Sequence, residues 1–344
     1  MGVGVRFGTF NLHAVPPSVS PYDVIEEHFE QMVEAENCGF DEVWLAEHNG
    51  RRYGMVGNVL VPAAALARAT TRIRIATAVT RLPLHHPVHL AEDLNYIDVL
   101  SRGRLDFGVG KGYDKLEFES YGVPYDEREE RWEEAFYQIQ QMWNTGSTAL
   151  NGQFHRTGDG ELLPPPLQRP ILPIYVMVSS SDSSVVWAAE RLYPVALGSN
   201  PDWPDVRRKR QIYADTAAAA GHDDTAIKEA LDRFWQLKHV HVSSTTQRAI
   251  DEYRDGLLWY FDALQNRAMF GFSHDIKPYE YYVEHGSVLL GSSEKVLNDL
   301  AAYRDNTGMR NVICFFNIGH QPHAQVMNCI RQFGAEVLPM LSDS

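Results

Sequence analysis

The chain has 344 residues, 44% of them hydrophobic and 22% charged, which fits one large α/β barrel or two ordinary domains around a substantial core. Its formal net charge of −14 argues against a broad nucleic-acid or anionic-membrane surface, though a local anion pocket needs only a few groups. Three cysteines (Cys38, Cys314, Cys329) make neither a disulfide framework nor a zinc pattern. There is no signal-peptide pattern and no apolar run near the roughly 20 residues of a membrane span, so a cytoplasmic protein is expected.

Short apolar runs alternate with amphipathic stretches along the whole chain. Val5–Leu12 reads as a strand, Tyr22–Cys38 as a helix, Glu42–Glu47 as a strand and Val59–Ala69 as a helix. The third strand is Arg72–Val79, followed by a helix near Pro87–Leu100. The fourth is Arg104–Val109, with a helix near Glu127–Trp143. Pro173–Val178 and Pro194–Gly198 are the fifth and sixth strands, with helices at Ser183–Arg191 and Val206–Ala220. Leu237–Val242 is the seventh, and Val312–Asn317 the eighth, closed by a helix near Ala324–Leu338. Eight strand–helix repeats without a composition break predict a single-domain (β/α)8 TIM barrel over residues 1–344. Residues 255–290 form an insert between strands seven and eight. Its aromatics (Trp259, Tyr260, Phe261, Phe270, Phe272, Tyr279, Tyr281, Tyr282) mark it as a mobile lid or an interface.

The fourth strand runs out in "GRLDFGVGKGYD", Gly103–Asp114. The dinucleotide fingerprint needs glycine where Tyr113 stands, and the G-K-S/T ending of a P-loop is absent. What remains is a lysine, Lys111, among glycines at the C-terminal end of a barrel strand, the end that carries active sites. A second reading of Gly108 and Gly110 is that they relieve crowding where strand meets helix.

Neighbouring segments are more specific: "WLAEHN" (Trp44–Asn49), Ala76–Asp114, "YVMVSSSDSSVVWAAER" (Tyr175–Arg191) and Gly291–Phe316. Together they resemble the bacterial luciferase-like flavin-dependent monooxygenases, with the alpha-subunit branch nearest in pattern. The resemblance implies a two-component enzyme that takes reduced FMN (FMNH2) from a separate NAD(P)H:flavin reductase. With O2 as co-substrate it would form a flavin C4a-hydroperoxide and oxygenate a small organic substrate. It also implies a homodimer, with a heterodimer as the alternative. His48 matches the family's catalytic histidine, and an imidazole suits proton transfer near neutral pH. Lys111 and Ser181, with Ser184 nearby, match the positions that hold the flavin phosphate, and the start of a helix suits an anion. Ala78 and Val79 match a non-prolyl cis peptide against the flavin ring. Gly110, Tyr113 and Ser180 complete the expected flavin surroundings, and Glu47 reads either as flavin-adjacent or as structural. The chain departs from the family at Lys111 for arginine, Gly110 for cysteine, Asn49 for a second histidine and Ser180 for glutamate. Glycine at 110 is expected to open space beside the flavin.

Other features read as structural. His85 and His89 share helical spacing, but Pro87 starts the helix between them, so no metal site is expected. His239 and His241 share one face of the seventh strand and read as hydrogen-bonding or substrate-lining groups. Arg102 and Arg104 read as salt-bridging residues at the opposite barrel end. Three other readings stay open: a deazaflavin-dependent hydride-transfer enzyme of the same superfamily, a non-catalytic luciferase-beta-like flavin-binding subunit, and a metallohydrolase.

Overall fold

The computed structural model describes residues 5–198, 203–265, 278–284, 288–319 and 321–342. Eight parallel strands form the barrel: β1 (Arg6–Asn11), β2 (Glu42–Leu45), β3 (Arg74–Thr77), β4 (Leu105–Gly110), β5 (Ile174–Val178), β6 (Val195–Leu197), β7 (Trp235–Val242) and β8 (Asn311–Phe315). Each pairs with the next, and β8 closes the ring on β1 through Phe7↔Val312 and Gly8↔Ile313. The strands are buried nearly throughout because helices cover one side and the barrel interior fills the other.

Large side chains pack the interior, with Trp44 contacting both Tyr175 and Trp235 at 5.4 Å between ring centroids. Gly8 leaves the room Trp44 needs, since a Cβ there would stand 2.8 Å from the indole Cδ1. This packing closes the barrel floor, so a ligand site belongs at the C-terminal mouth.

The surrounding helices start where short polar residues satisfy their first N–H groups. Ser20 caps α1 (Pro21–Asn37), Asp114 caps α4 (Lys115–Ser120), and Ser181 caps α6 (Asp182–Ala189). The remaining outer helices include α2 (Leu60–Ala69), α3 (Pro87–Ser101), α5 (Arg128–Thr145), α7 (Trp203–Ala219) and α8 (Asp224–Asp232). Helix α9 (Thr246–Gln265) follows β7, and α10 (Tyr279–Glu284), α11 (Ser293–Thr307) and α12 (His323–Glu336) come after it.

The insert gains detail, and one expectation elsewhere changes. Much of the 255–290 insert is regular structure: α9 runs into it, α10 lies within it, and Val288–Gly291 is a strand on β7 in register His239↔Val288. A four-residue strand carries too little alternation to be read from sequence. Phe270 and Phe272 lie outside the described residues. Among the described residues, Arg104 pairs with no carboxylate, against expectation. It donates to the carbonyls of Ala67, Thr70, Ile73 and Ser101 and to the Thr70 hydroxyl, tying the ends of α2 and α3 together. Arg102 takes the left-handed conformation that ends α3 (φ 59°).

Candidate active site

His48 sits just past β2, at the barrel mouth, with its side chain 11% exposed. Its Nδ1 lies 2.8 Å from Glu117 Oε1, and its Nε2 faces the Tyr113 hydroxyl at 3.4 Å. The Tyr53 ring meets the imidazole edge-on at 5.0 Å. Gly54 lets the backbone pass close beneath, where a Cβ would stand 3.0 Å from that of His48.

Glu47, one residue earlier and also past the end of β2, is 1% exposed and faces the starts of α2 and α3. It accepts from Val59 N at 3.1 Å and from Arg81 Nε at 3.0 Å, and lies 2.9 Å from His85 Nε2. Burial pushes its carboxyl up, but His85, Arg81 and the Val59 N–H together hold it below the usual range. His85 is thereby committed to Glu47. Among the described residues, no three His, Cys, Asp or Glu gather in a way that could hold a metal.

Arg81 joins the two carboxylates. It follows the cis Ala78–Val79 bond in the short strand Thr80–Arg81, and it is 1% exposed. Its Nη1 lies 2.7 Å from Glu117 Oε2 and donates to Asn49 Oδ1 at 2.8 Å. Sequence reasoning missed both Arg81 and Glu117. Asp114-x-x-Glu117 at a helix start has the form of a capping box, in which the acid would reach back to the cap. Asp114 does cap Leu116 N, but Glu117 turns to His48 and to Asn49 N.

The expected phosphate residues lie at the ends of two paired strands, β4 and β5, joined in register Val109↔Val176. Lys111 follows β4, and Ser179–Ser183 are exposed at the start of α6. Trp132 of α5 bridges the two places. The Lys111 ammonium lies 5.5 Å from the Trp132 ring, and Trp132 contacts Trp187 of α6 at 4.6 Å. Lys111 forms a close ion pair with Glu129 on α5. Ser181 Oγ accepts from Ser184 N at 3.4 Å and stands 2.7 Å from Ser183 Oγ. Ser180 is exposed beside them. Asp182 would oppose an anion here, but Arg208 binds it at 2.6 and 2.9 Å.

Gly110 does not leave open space. The methyl groups of Val79 fill it, the nearest 2.7 Å from where a Cβ would be. Gly108 is compelled by crowding, because a Cβ would overlap the Thr77 carbonyl oxygen. Beyond Tyr53, an aromatic wall continues through Tyr260, whose hydroxyl lies 3.2 Å from that of Tyr53, to His239, Phe261 and Phe315. His239 Nδ1 lies 3.2 Å from the Tyr253 hydroxyl, and burial lowers its pKa to about 3, so it is neutral. His241 pairs with Glu252 at 3.0 Å.

Residues 5–308 match the family described as luciferase-like monooxygenase. The chain belongs to the luciferase-like monooxygenase family. It is an oxidoreductase by that membership. It is 26% identical to the alkanal monooxygenase alpha chain of the Kryptophanaron alfredi symbiont, over 98% of this chain and 99% of that one. Among solved structures, this family member resembles the monooxygenase RslO1 from Streptomyces bottropensis, with a TM-score of 0.85 and 25% identity over 97% of this chain and 99% of that one. The fold is shared with the oxygenating constituent of 3,6-diketocamphane monooxygenase from Pseudomonas putida, a type II Baeyer–Villiger monooxygenase in complex with FMN. There the TM-score is 0.82 and the identity 19%, over 98% of this chain and 99% of that one. Among the described residues, no helix is long and apolar enough to cross a membrane.

Proposed function

We propose that this protein is a two-component FMNH2-dependent monooxygenase, receiving reduced flavin from a separate NAD(P)H:flavin reductase and oxygenating a small organic substrate with O2. One observation supports the reading: His48 follows β2, Lys111 follows β4 and the Ser181 turn follows β5, all at the C-terminal ends of barrel strands, where a proton donor and an anion cradle would serve one site. The donor set fits a phosphate, with an ammonium, exposed hydroxyls and the N–H groups of a helix start. In this reading Lys111, Ser181 and Ser184 hold the FMN phosphate, and Ala78, Val79, Gly110, Tyr113 and Ser180 border the flavin.

Reduced flavin, when bound, supplies the electrons that activate O2. The chain's own contribution is to orient, to exclude water and to move a proton. Tyr53, Tyr260 and Phe315 give the mouth an apolar wall. His48 serves as acid and base within reach of it. A homodimer is part of the proposal.

The test is to mix anaerobic protein and FMNH2 with oxygenated buffer and follow flavin absorbance in a stopped-flow instrument. Reoxidation much slower than that of unbound FMNH2 supports the reading. Reoxidation at the unbound rate, with no flavin retained by the protein, overturns it.

A further inference from the structure

We propose that Glu117 is a positioning residue that fixes His48 in its Nδ1–H form, making Nε2 the nitrogen that takes and returns the proton at the barrel mouth. The reaction this proton serves rests on the monooxygenase reading above; the assignment of the nitrogen does not.

An ionised carboxylate accepts hydrogen bonds and donates none. Glu117 is 1% exposed, and burial by itself pushes its carboxyl up. His48, Arg81 and the Asn49 N–H more than offset that, bringing it below the usual carboxylate range. The group is therefore ionised at neutral pH, and the 2.8 Å contact requires the proton to sit on His48 Nδ1. The remaining nitrogen is the one that faces Tyr113.

The carboxylate is also held against rotation. Oε1 takes His48 and Asn49 N, and Oε2 faces Arg81 at 2.7 Å. Arg81 is anchored in turn by Glu47 and by the Asn49 side chain. Asn49 thus ties the guanidinium to the loop that carries His48. Two carboxylates against one guanidinium leave one negative charge in the buried network, which favours a proton on a neighbouring imidazole.

Among the described residues, the ionisable groups that face His48 include Glu117 on α4, Tyr113 before it, Tyr53 after β2, and Arg81 through Glu117. His85 shares the network only through Glu47. The Arg51–Asp114 pair spans the same two loops at 3.1 Å. Of these groups, it is Glu117 that places an anionic oxygen on Nδ1.

The test uses the flavin-free full chain with 15N-labelled histidine, the His48 signals being assigned by comparison with His48→Gln. Long-range 1H–15N correlation spectra across pH read both the tautomer and the titration. The wild type is expected to show Nδ1 protonated and Nε2 unprotonated in the neutral ring. Glu117→Gln keeps an acceptor but removes the charge, and is expected to lower the His48 pKa by about one unit or more. An Nε2–H tautomer in the wild type overturns the proposal, and that spectrum decides even where the variant fails to fold. An unchanged titration in a folded Glu117→Gln protein overturns it as well.

An anaerobic FMNH2 titration of the same wild-type protein separates the two readings. An Nδ1–H ring without FMNH2 binding leaves the positioning role standing and removes the proposed function. FMNH2 binding with an Nε2–H ring does the reverse.

Discussion

Val79 and Gly110 fit as a side chain into a notch: the valine Cγ2 stands 2.7 Å, and Cγ1 2.9 Å, from where a Cβ on residue 110 would lie. Both belong to the expected flavin surroundings, so a change at either alters the other. Gly110→Ala is expected to force the stiff valine aside, at a cost of about 1–3 kcal/mol, and to weaken FMN binding. Gly110→Ala combined with Val79→Ala should restore much of both. Urea unfolding and an FMN titration on the single and double variants measure the coupling.

Gly108 sets the contrasting case. A Cβ there meets backbone, the Thr77 carbonyl oxygen, and Thr77 also exchanges hydrogen bonds of 2.9 and 2.8 Å with Gly108 N and O. Backbone cannot step aside, so Gly108→Ala is expected to cost at least about 3 kcal/mol, beyond ordinary overpacking. No compensating change at the Thr77 side chain should rescue it, as soluble yield and urea midpoint would show.

Lys111 and Glu129 are an ion pair near the surface, and the proposed phosphate must compete with Glu129 for the ammonium. Glu129→Gln is expected to tighten FMN binding by up to about fivefold, the range of an exposed pair. Lys111→Met should weaken it roughly 10- to 100-fold and flatten its dependence on salt. Fluorescence titration at two ionic strengths tests both, and equal affinities for wild type and Lys111→Met would remove Lys111 from the phosphate site.

Arg81 is the shared counter-ion of two buried acids, so its loss removes their permanent positive charge and leaves them only imidazoles and backbone N–H groups. Arg81→Met is expected to lose about 3–5 kcal/mol near neutral pH. In the wild type both carboxyls are held low, so their stabilisation is present at neutral pH and fades as acid protonates them. In the variant their pKa values rise, and the deficit should shrink below pH 5 or thereabouts. Urea midpoints from neutral to mildly acidic pH show whether it does.

His13 offers a cleaner acid signature. Buried and stacked on His28 at 4.3 Å, it has a pKa lowered to about 4, burial being the main cause. The unfolded chain therefore takes up a proton that the folded one refuses between about pH 6.5 and 4. Stability should fall through that window as pH drops, by up to ~1.4 kcal/mol per pH unit from this group. His13→Asn tolerates the left-handed backbone (φ 52°) and removes the titration. Its stability-versus-pH curve is expected to be flatter over the same window.

Much of the architecture was legible because it is written in short-range chemistry. Apolar strands of five or six residues, helix periodicity, and caps such as Ser181 and Asp114 act within a few positions of themselves, so order and approximate bounds follow from the sequence. The same locality explains why Lys111 and the serine turn could be placed at strand ends. What the sequence by itself could not decide are contacts created by barrel curvature. Glu117 reaches His48 across 69 residues only because the end of β2 and the start of α4 arrive at one rim. Asn49, a departure from the family in sequence, becomes an arginine anchor once Arg81 is folded beside it. Gly110, read as open space, is filled by Val79 because the strand Thr80–Arg81 pairs with β4 in register Arg81↔Gly110 and brings the preceding valine against the glycine. Close packing decides such cases: the space a residue leaves belongs to whichever side chain the tertiary fold brings into it.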